Sequence, residues 1–298
     1  MYNDTYKNIL VSYAYLYSNK DLISYLKNQT SNGNINLMLD SGAFTARNAK
    51  SDFSHVNVDT YCSFLEDFEP YPEKYVMLDV IGNATLSRKN YEIMINRGLK
   101  PMFVMTMYDK DYNYLRETLK INKNICVAGG ANTKGPWLIK RFQDVFIQSN
   151  KEAKIHGLAF VTYPNMLRLP LASVDSSSWN ASAARFGLFQ YWNNGIKQFW
   201  YRDILYKGKK LKSNEKSALD RIKITPQMYA NPENHRGSNS IETLSNLQAH
   251  ITMQKICKKK GLNYFLAVGG LSQLNRIMYV YENYNDLSYE KFVKYFAV

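Results

Sequence analysis

Three apolar runs of the sequence each end in an aspartate. Asp40 ends "INLMLD", Asp79 ends "YVMLD" and Asp175 ends "LASVD". If these runs are parallel strands, their carboxyl ends form the binding face of the sheet. Carboxylates brought together there repel one another and raise at least one pKa, which suits acid–base and nucleophilic catalysis. The alternative for each acid is a cap or a turn, and Asp175 precedes an alanine-containing segment that it could cap.

Residues suited to holding a flat ligand follow two of the runs. Ser41 and Gly42 in "DSGAFT" allow a tight turn with exposed backbone N–H groups, and Phe44 offers an apolar ring. Gly129 and Gly130 in "VAGGANTKG" end another run, where a planar ring could lie against the backbone. A second such motif, "LAVGG", lies near the C-terminus, and the sequence leaves its part in a site open.

The chain alternates short apolar runs with segments of helical spacing. Buried parallel strands read as near-continuous apolar runs. Eight such runs occur, at residues 8–16, 35–40, 75–80, 101–106, 124–130, 155–161, 171–176 and 196–202. Segments between them, such as 58–68 and 135–149, place apolar residues three and four apart, as amphipathic helices do. The pattern predicts an α/β fold, a (β/α)₈ barrel of the TIM type over residues 1–205. An open doubly wound sheet is the alternative, because strand order is not readable from one sequence.

Residues 206–298 are predicted to form a basic, mostly helical appendage packed on the barrel, joined to it by a linker at 206–217. Residues 201–298 hold 16 lysines and arginines against 8 aspartates and glutamates, and the whole chain has a net charge of +13. Such an excess attracts polyanions, of which nucleic acid is the usual one, although lysine-rich segments also occur in solvated loops. The candidate phosphate contacts are Arg185, Lys207, Lys209, Lys210, Lys258, Lys259 and Lys260.

The composition argues against several classes of protein. A hydrophobic fraction of 45% with 14% aromatic residues is typical of a folded globular chain. No apolar run approaches the roughly 18 residues that span a bilayer, and the N-terminal segment lacks an apolar signal-peptide core. Cys62, Cys126 and Cys257 are too scattered for a disulfide framework, and they form no zinc site with the histidines. We therefore expect a cytoplasmic protein with reduced thiols, no metal and no membrane partner.

The motifs, in this order and on these strands, resemble the tRNA-guanine transglycosylase superfamily. The closest resemblance is to the phage-type branch that inserts 7-deazaguanine bases into DNA. "LDSGAFT" corresponds to the family's Asp-Ser-Gly-Gly-aromatic loop, and "YVMLDV" to the strand that ends in its base-reading aspartate. "VAGGANTKG" corresponds to the Gly-Gly substrate loop, "IHGLAFV" to the next barrel strand, and "SVDSSSW" to the strand of the nucleophile. The resemblance covers about residues 35–180.

This resemblance implies an exchange of guanine for a 7-deazaguanine base in a nucleic acid, through a covalent aspartyl-sugar intermediate. Asp175 would be the nucleophile, and Asp40 the general acid and base. Asp79 would read the N–H edge of the base, the Gly-Gly loop would read the opposite side, and Phe44 would stack on the ring. The reaction requires no cofactor.

The sequence departs from the family in ways that bear on the polymer. Ala43 replaces the second glycine of the first loop, and the basic motif after the nucleophile is absent. The Cys-x-Cys-x-x-Cys and His zinc site that helps the tRNA enzymes hold their RNA is also absent, which favours DNA over tRNA. The alternatives are a tRNA-guanine transglycosylase with a reduced RNA-binding module, a catalytically silent nucleic-acid-binding barrel, and an unrelated barrel hydrolase or lyase that acts on a small molecule.

Overall fold

The computed structural model describes residues 7–48, 52–70, 72, 74–106, 109–128 and 135–297, without the side chains of residues 185, 186 and 205. The chain forms two compact units. The barrel unit contains Met1–Ser176 and Gly261–Leu271, and the helical unit contains Ser177–Lys260 and Ser272–Val298.

The strands of the described residues are β1 (Lys7–Ser12), β2 (Ile35–Asp40), β3 (Lys74–Tyr75), β4 (Phe103–Thr106), β5 (Asn124–Ala128), β6 (Lys154–Gly157), β7 (Leu171–Ser176), β8 (Leu188–Trp192), β9 (Ile196–Trp200) and β10 (Asn263–Val268). The helices are α1 (Tyr13–Leu16), α2 (Lys20–Ser31), α3 (Ala43–Asn48), α4 (Val58–Glu66), α5 (Ala84–Asn96), α6 (Tyr112–Ile121), α7 (Gly135–Gln148), α8 (Ser178–Phe186), α9 (Tyr201–Lys207), α10 (Ser213–Arg221), α11 (Pro226–Ala230), α12 (Ile241–Lys259), α13 (Leu271–Glu282) and α14 (Tyr289–Phe296).

Eight parallel strands form the sheet of the barrel unit, in the order β3-β2-β1-β10-β7-β6-β5-β4. A parallel bridge between Val76 and Met102 links the two ends of this series. The Met77 N–H donates to the Met102 carbonyl at 3.1 Å, and the Met102 N–H donates to the Tyr75 carbonyl at 2.8 Å. The strands therefore follow one another around the sheet in chain order, with β10 as the eighth, which is the topology of a TIM-type barrel. The predicted α/β barrel fold is confirmed.

The eighth strand is not the one that the sequence predicted. Ile196–Trp200 forms β9, which pairs antiparallel with β8 in a separate two-stranded sheet. Only Phe199 of β9 is buried, whereas a barrel strand is apolar on both faces. The eighth place belongs to β10, where the apolar run "YFLAV" pairs with both β1 and β7.

The predicted division at residues 205 and 206 also differs from the structure. The helical unit begins directly after β7, so its first segment, Ser177–Lys260, is an insertion between the seventh and eighth barrel strands. The predicted linker at 206–217 lies inside this unit, where residues 208–212 join α9 to α10. The predicted helical character of the C-terminal region is confirmed, with a β8–β9 hairpin added.

The helical unit is built around α12, which is buried on nearly all sides. Its polar side chains bond backbone groups of α8 and β8. Asn246 accepts the Gln190 N–H at 2.6 Å, and its amide donates to the carbonyls of Trp179 and Leu188 at 3.1 Å. His250 bonds the Gln190 side chain at 3.0 Å, and burial lowers the pKa of His250 to about 3, so this ring is neutral. None of the helices among the described residues has both the length and the apolar character that crossing a membrane requires.

Candidate active site at the carboxyl ends of the barrel strands

Asp40 is the last residue of β2 and is half-buried. Its Oδ2 accepts the Gly42 backbone N–H at 3.0 Å, so the carboxylate also forms the turn that follows the strand. Burial raises the pKa of Asp40, the Gly42 N–H opposes this, and the charge of Asp175 raises the pKa further. Asp40 therefore combines a turn role with the proton affinity expected of a general acid.

The turn after Asp40 requires glycine at position 42. Gly42 has φ +84, and a Cβ atom there would lie 2.7 Å from the Ala14 Cβ and 2.9 Å from the Ala14 nitrogen. Ser41 is buried, and its hydroxyl has no hydrogen-bond partner among the described residues. Phe44, in the first turn of α3, is 67% exposed. The segment directly after Asp40 thus carries a buried hydroxyl without a described partner and an exposed ring.

Asp79 follows β3 and is half-buried. Burial, followed by the charge of Asp40, raises the pKa of Asp79 to about 6. The two acids are therefore close enough to influence each other, although they belong to separate strands.

Asp175 lies inside β7 and is buried. Its Oδ1 accepts the Ala159 backbone N–H at 2.8 Å and also bonds the His156 Nε2 at 3.2 Å. The next helix, α8, begins at Ser178 with Ser177 as its N-terminal cap residue. The carboxylate of Asp175 is thus directed at the turn after β6, and helix capping does not explain its presence.

The thiol of Cys126 on β5 is buried, and all three acids influence its pKa. Burial raises its pKa well above the usual range, and the charges of Asp40, Asp175 and Asp79 raise it further, in that order. The same end of the sheet therefore holds three carboxylates that interact electrostatically, as parallel strands that end in acids would place them.

Sequence reasoning missed two groups of this site. His156 lies in the middle of the apolar run "IHGLAFV", and the structure pairs it with Ser173 across β6 and β7. Ala159 contributes only its backbone. A single histidine within an otherwise apolar barrel strand was the available signal, because a polar side chain in such a strand needs a partner on the neighbouring strand.

The remaining predicted site residues are placed as follows. Gly129 and Gly130 lie outside the described residues, as does the side chain of Arg185. The second glycine pair, Gly269 and Gly270, directly follows β10 and so lies at the carboxyl end of a barrel strand.

The candidate phosphate-binding lysines all belong to the helical unit. Lys207 ends α9 and forms an exposed ion pair with Asp203 at 2.8 Å, while Lys209 and Lys210 are exposed in the connection that follows. Lys258 and Lys259 end α12, and Lys260 follows them, a position that favours positive charge. Of the two groups, Lys207, Lys209 and Lys210 are all exposed, whereas in the second group Lys259 and Lys260 are exposed and Lys258 is half-buried.

No family model, curated protein or solved structure matches this chain. Among the residues that the structure describes, no group of three or more histidine, cysteine, aspartate and glutamate side chains is arranged to hold a metal ion.

Proposed function

We propose that the protein is a guanine transglycosylase, which exchanges guanine in a nucleic acid for a 7-deazaguanine base. The observation that carries this proposal is the set of interacting carboxylates at the ends of β2, β3 and β7. Two of them, Asp40 and Asp79, have raised pKa values. The described residues that bond the third, Asp175, both do so through its Oδ1.

In the first step, the Oδ2 of Asp175 attacks the anomeric carbon of the sugar as the bond to guanine breaks. The bonding electrons leave with the base, and Asp40 in its neutral form donates a proton to it. The product is a glycosyl ester of Asp175. In the second step, Asp40 takes the N–H proton of the incoming deazapurine, whose nitrogen displaces Asp175 from the sugar. Two displacements restore the original configuration, as in retaining glycosidases.

Three further residues would bind the base. Asp79, once ionised, accepts hydrogen bonds from the N–H edge of a guanine-type ring, and the free hydroxyl of Ser41 offers a second polar contact. Phe44 is exposed and can stack on the ring. Gly129 and Gly130 would read the other edge, as the resemblance implies.

We further propose that the polymer is DNA rather than tRNA. The net charge of +13 suits a polyanion, and the sequence contains no zinc-binding cysteine motif of the tRNA enzymes. A guanine in a duplex has to leave the base stack, at a cost of a few kcal/mol, before Asp175 can reach its sugar. In this proposal the enzyme works in the cytoplasm of a bacterial host, and the lysines of the helical unit bind phosphates.

An exchange assay tests the proposal. Single-stranded DNA, duplex DNA and tRNA, each with labelled guanine, are incubated separately with the protein and a 7-deazaguanine base. Release of label from one polymer by the wild type, and none by Asp175→Asn, would support the reaction and identify the polymer. Salt-sensitive binding without exchange would instead favour a catalytically silent binding barrel.

A further inference from the structure

We infer that His156 and Ala159 are positioning residues that select which oxygen of Asp175 attacks the sugar, and that they then assist its departure. This inference rests on the proposed function and deepens it. Both hydrogen bonds that the structure describes at this carboxylate go to Oδ1. Oδ2 is left as the oxygen that is available to a substrate.

The histidine is held from both sides. His156 is fully buried; its Nε2 lies 3.2 Å from the Asp175 Oδ1 and its Nδ1 lies 2.8 Å from the Ser173 Oγ. Ser173 and Asp175 are two residues apart on β7, so both point to the same face of the sheet. The register of β6 and β7 pairs His156 with Ser173. The three side chains therefore form a chain of hydrogen bonds across two neighbouring strands.

The partners of the ring determine its tautomer. A ring nitrogen that faces an ionised carboxylate has to carry the proton, so the His156 Nε2 is the donor to Asp175. In a neutral ring the Nδ1 then accepts the Ser173 hydroxyl proton. Ser173 thus pairs with the Nδ1 and holds the ring in the orientation in which Nε2 donates to Asp175, as an outer-shell partner does for a metal-bound histidine.

The second donor comes from a strained backbone. Ala159 has φ +52, a left-handed conformation that residues other than glycine rarely adopt. In this conformation its N–H reaches the Asp175 Oδ1 at 2.8 Å. Strained residues of this kind persist where the surrounding structure requires them, and functional sites are the usual place. A donor held in this way is fixed before the substrate arrives.

Both donors act on the second step of the reaction differently from the first. When Oδ2 bonds to the sugar, Oδ1 becomes the carbonyl oxygen of the resulting ester. In the second step the carboxylate leaves, the bond from Oδ2 to the anomeric carbon breaks, and negative charge returns to the carboxylate. Donors aimed at Oδ1 stabilise that charge, in the manner of an oxyanion hole. Loss of the histidine donor is therefore expected to slow the second step more than the first, so that the glycosyl ester accumulates.

The test compares His156→Leu, His156→Gln and Ser173→Ala with the wild type. Leucine removes the donor, glutamine keeps an N–H donor near the position of Nε2, and Ser173→Ala leaves the ring in place without its partner. The matched control is His250→Gln, which changes a buried histidine of the helical unit. For each folded protein, the exchange rate and the fraction of enzyme in a denaturation-resistant adduct are measured at saturating deazapurine.

We expect His156→Leu to lower exchange by about 10- to 100-fold and to raise the adduct fraction above that of the wild type. His156→Gln should recover part of the rate, Ser173→Ala should show a smaller loss, and His250→Gln should leave both quantities unchanged. Should His156→Leu fail to fold, His156→Gln and Ser173→Ala carry the same test. Wild-type rates and adduct fractions in the folded variants would overturn the positioning role while the proposed function stands. An absence of exchange by the wild type would overturn the proposed function and this inference with it.

Discussion

The residues that the structure describes include two buried pairs of a histidine with a carboxylate, one in each unit. In the barrel unit, His156 and Asp175 are 3.2 Å apart, and their side chains are 0% and 10% exposed. In the helical unit, His235 and Glu242 are 2.6 Å apart, with 4% and 1% exposed. The residue types are nearly the same, but their surroundings differ.

The pair in the helical unit is closed off from any ligand. The His235 Nε2 donates to the Tyr229 carbonyl at 2.9 Å, and the Tyr201 ring stacks on the imidazole. Burial, followed by the charge of Glu242, raises the pKa of Tyr289 to about 12. His235 and Glu242 are thus buried next to tyrosines of the same unit, so we interpret this pair as a part of the core that holds the segment before α12 in place.

The pair of His156 and Asp175 in the barrel unit lies near two further carboxylates, those of Asp40 and Asp79. The charge of Asp175 raises the pKa of Asp40, the charge of Asp40 raises the pKa of Asp79, and all three charges raise the pKa of the Cys126 thiol. Such an arrangement costs stability, and proteins retain it where it serves a reaction. The comparison teaches that a buried histidine–carboxylate pair indicates chemistry when further carboxylates lie near it at the carboxyl ends of parallel strands, where ligands bind.

The largest expected effect is the loss of exchange when the carboxylate of Asp175 is removed. Asp175→Asn keeps an oxygen that accepts from His156 and Ala159 but has no nucleophilic charge, so exchange should fall by about 10⁴-fold or more. The free energy of unfolding should change by no more than about 1 kcal/mol. Single-turnover exchange and urea unfolding measure the two quantities. A variant that retains a tenth of the wild-type rate would exclude Asp175 as the nucleophile.

The helical pair should respond in the opposite way. Glu242→Leu leaves His235 without its partner in the core, and breaking a buried pair of this kind lowers the free energy of unfolding by about 3–5 kcal/mol. Exchange per folded molecule should remain at the wild-type rate. Urea unfolding, with activity normalised to the folded fraction, checks both. A loss of exchange in the folded variant would show that the pair is more than structural.

Asp79 should lower stability at neutral pH, in contrast to Glu242. The pKa of Asp79 is raised to about 6 in the folded protein, so between its unfolded pKa and 6 the folded state binds more protons than the unfolded state. Stability therefore falls as the pH rises through this window. Asp79→Asn should raise the free energy of unfolding by about 1–3 kcal/mol at pH 7, and the gain should vanish near pH 4.

The control for this prediction is Asp67→Asn, which changes an exposed aspartate outside the site. At pH 7 and near pH 4, the free energy of unfolding of this variant should equal that of the wild type. A loss of stability at pH 7 in Asp79→Asn would mean that the carboxylate is paired with a positive group rather than crowded by like charges.

The smallest expected effect concerns the lysines of the helical unit. Replacing both Lys209 and Lys210 with glutamine should reduce the slope of log binding constant against log salt by up to about 2, since each phosphate contact contributes roughly 0.9. Exchange at saturating nucleic acid should not change. Binding to DNA at several salt concentrations measures the slope. An unchanged slope would remove these two lysines from the phosphate contacts.

Most of the barrel was predictable because its strands are short apolar runs, which neighbouring residues in the sequence are enough to identify. Seven of the predicted runs became β1–β7, and the acids at their ends fell at one edge of the sheet for a topological reason that needs no detailed geometry. The eighth strand was missed because Ile196–Trp200 has the length and the β-branched and aromatic residues of a strand, so that it reads locally as one. Its exposed face and antiparallel partner depend on contacts with distant residues.

The donors to Asp175 could not be predicted for a similar reason. Whether His156 reaches Asp175 depends on the register of β6 against β7, and that register shifts between Ile155 and His156. Ala159 takes part through its backbone conformation, which its side chain does not signal. The positions of the acids were thus visible in the sequence, while the groups that orient them were not.

The most direct test of the central claim is to identify the residue that carries the sugar. The protein is mixed with guanine-containing DNA without an incoming base, denatured rapidly, treated with nuclease and protease, and analysed by mass spectrometry. We predict a sugar-phosphate remnant on the peptide that contains Asp175, and none with Asp175→Asn. Exchange at the wild-type rate without an adduct, or an adduct on another residue, would contradict the account.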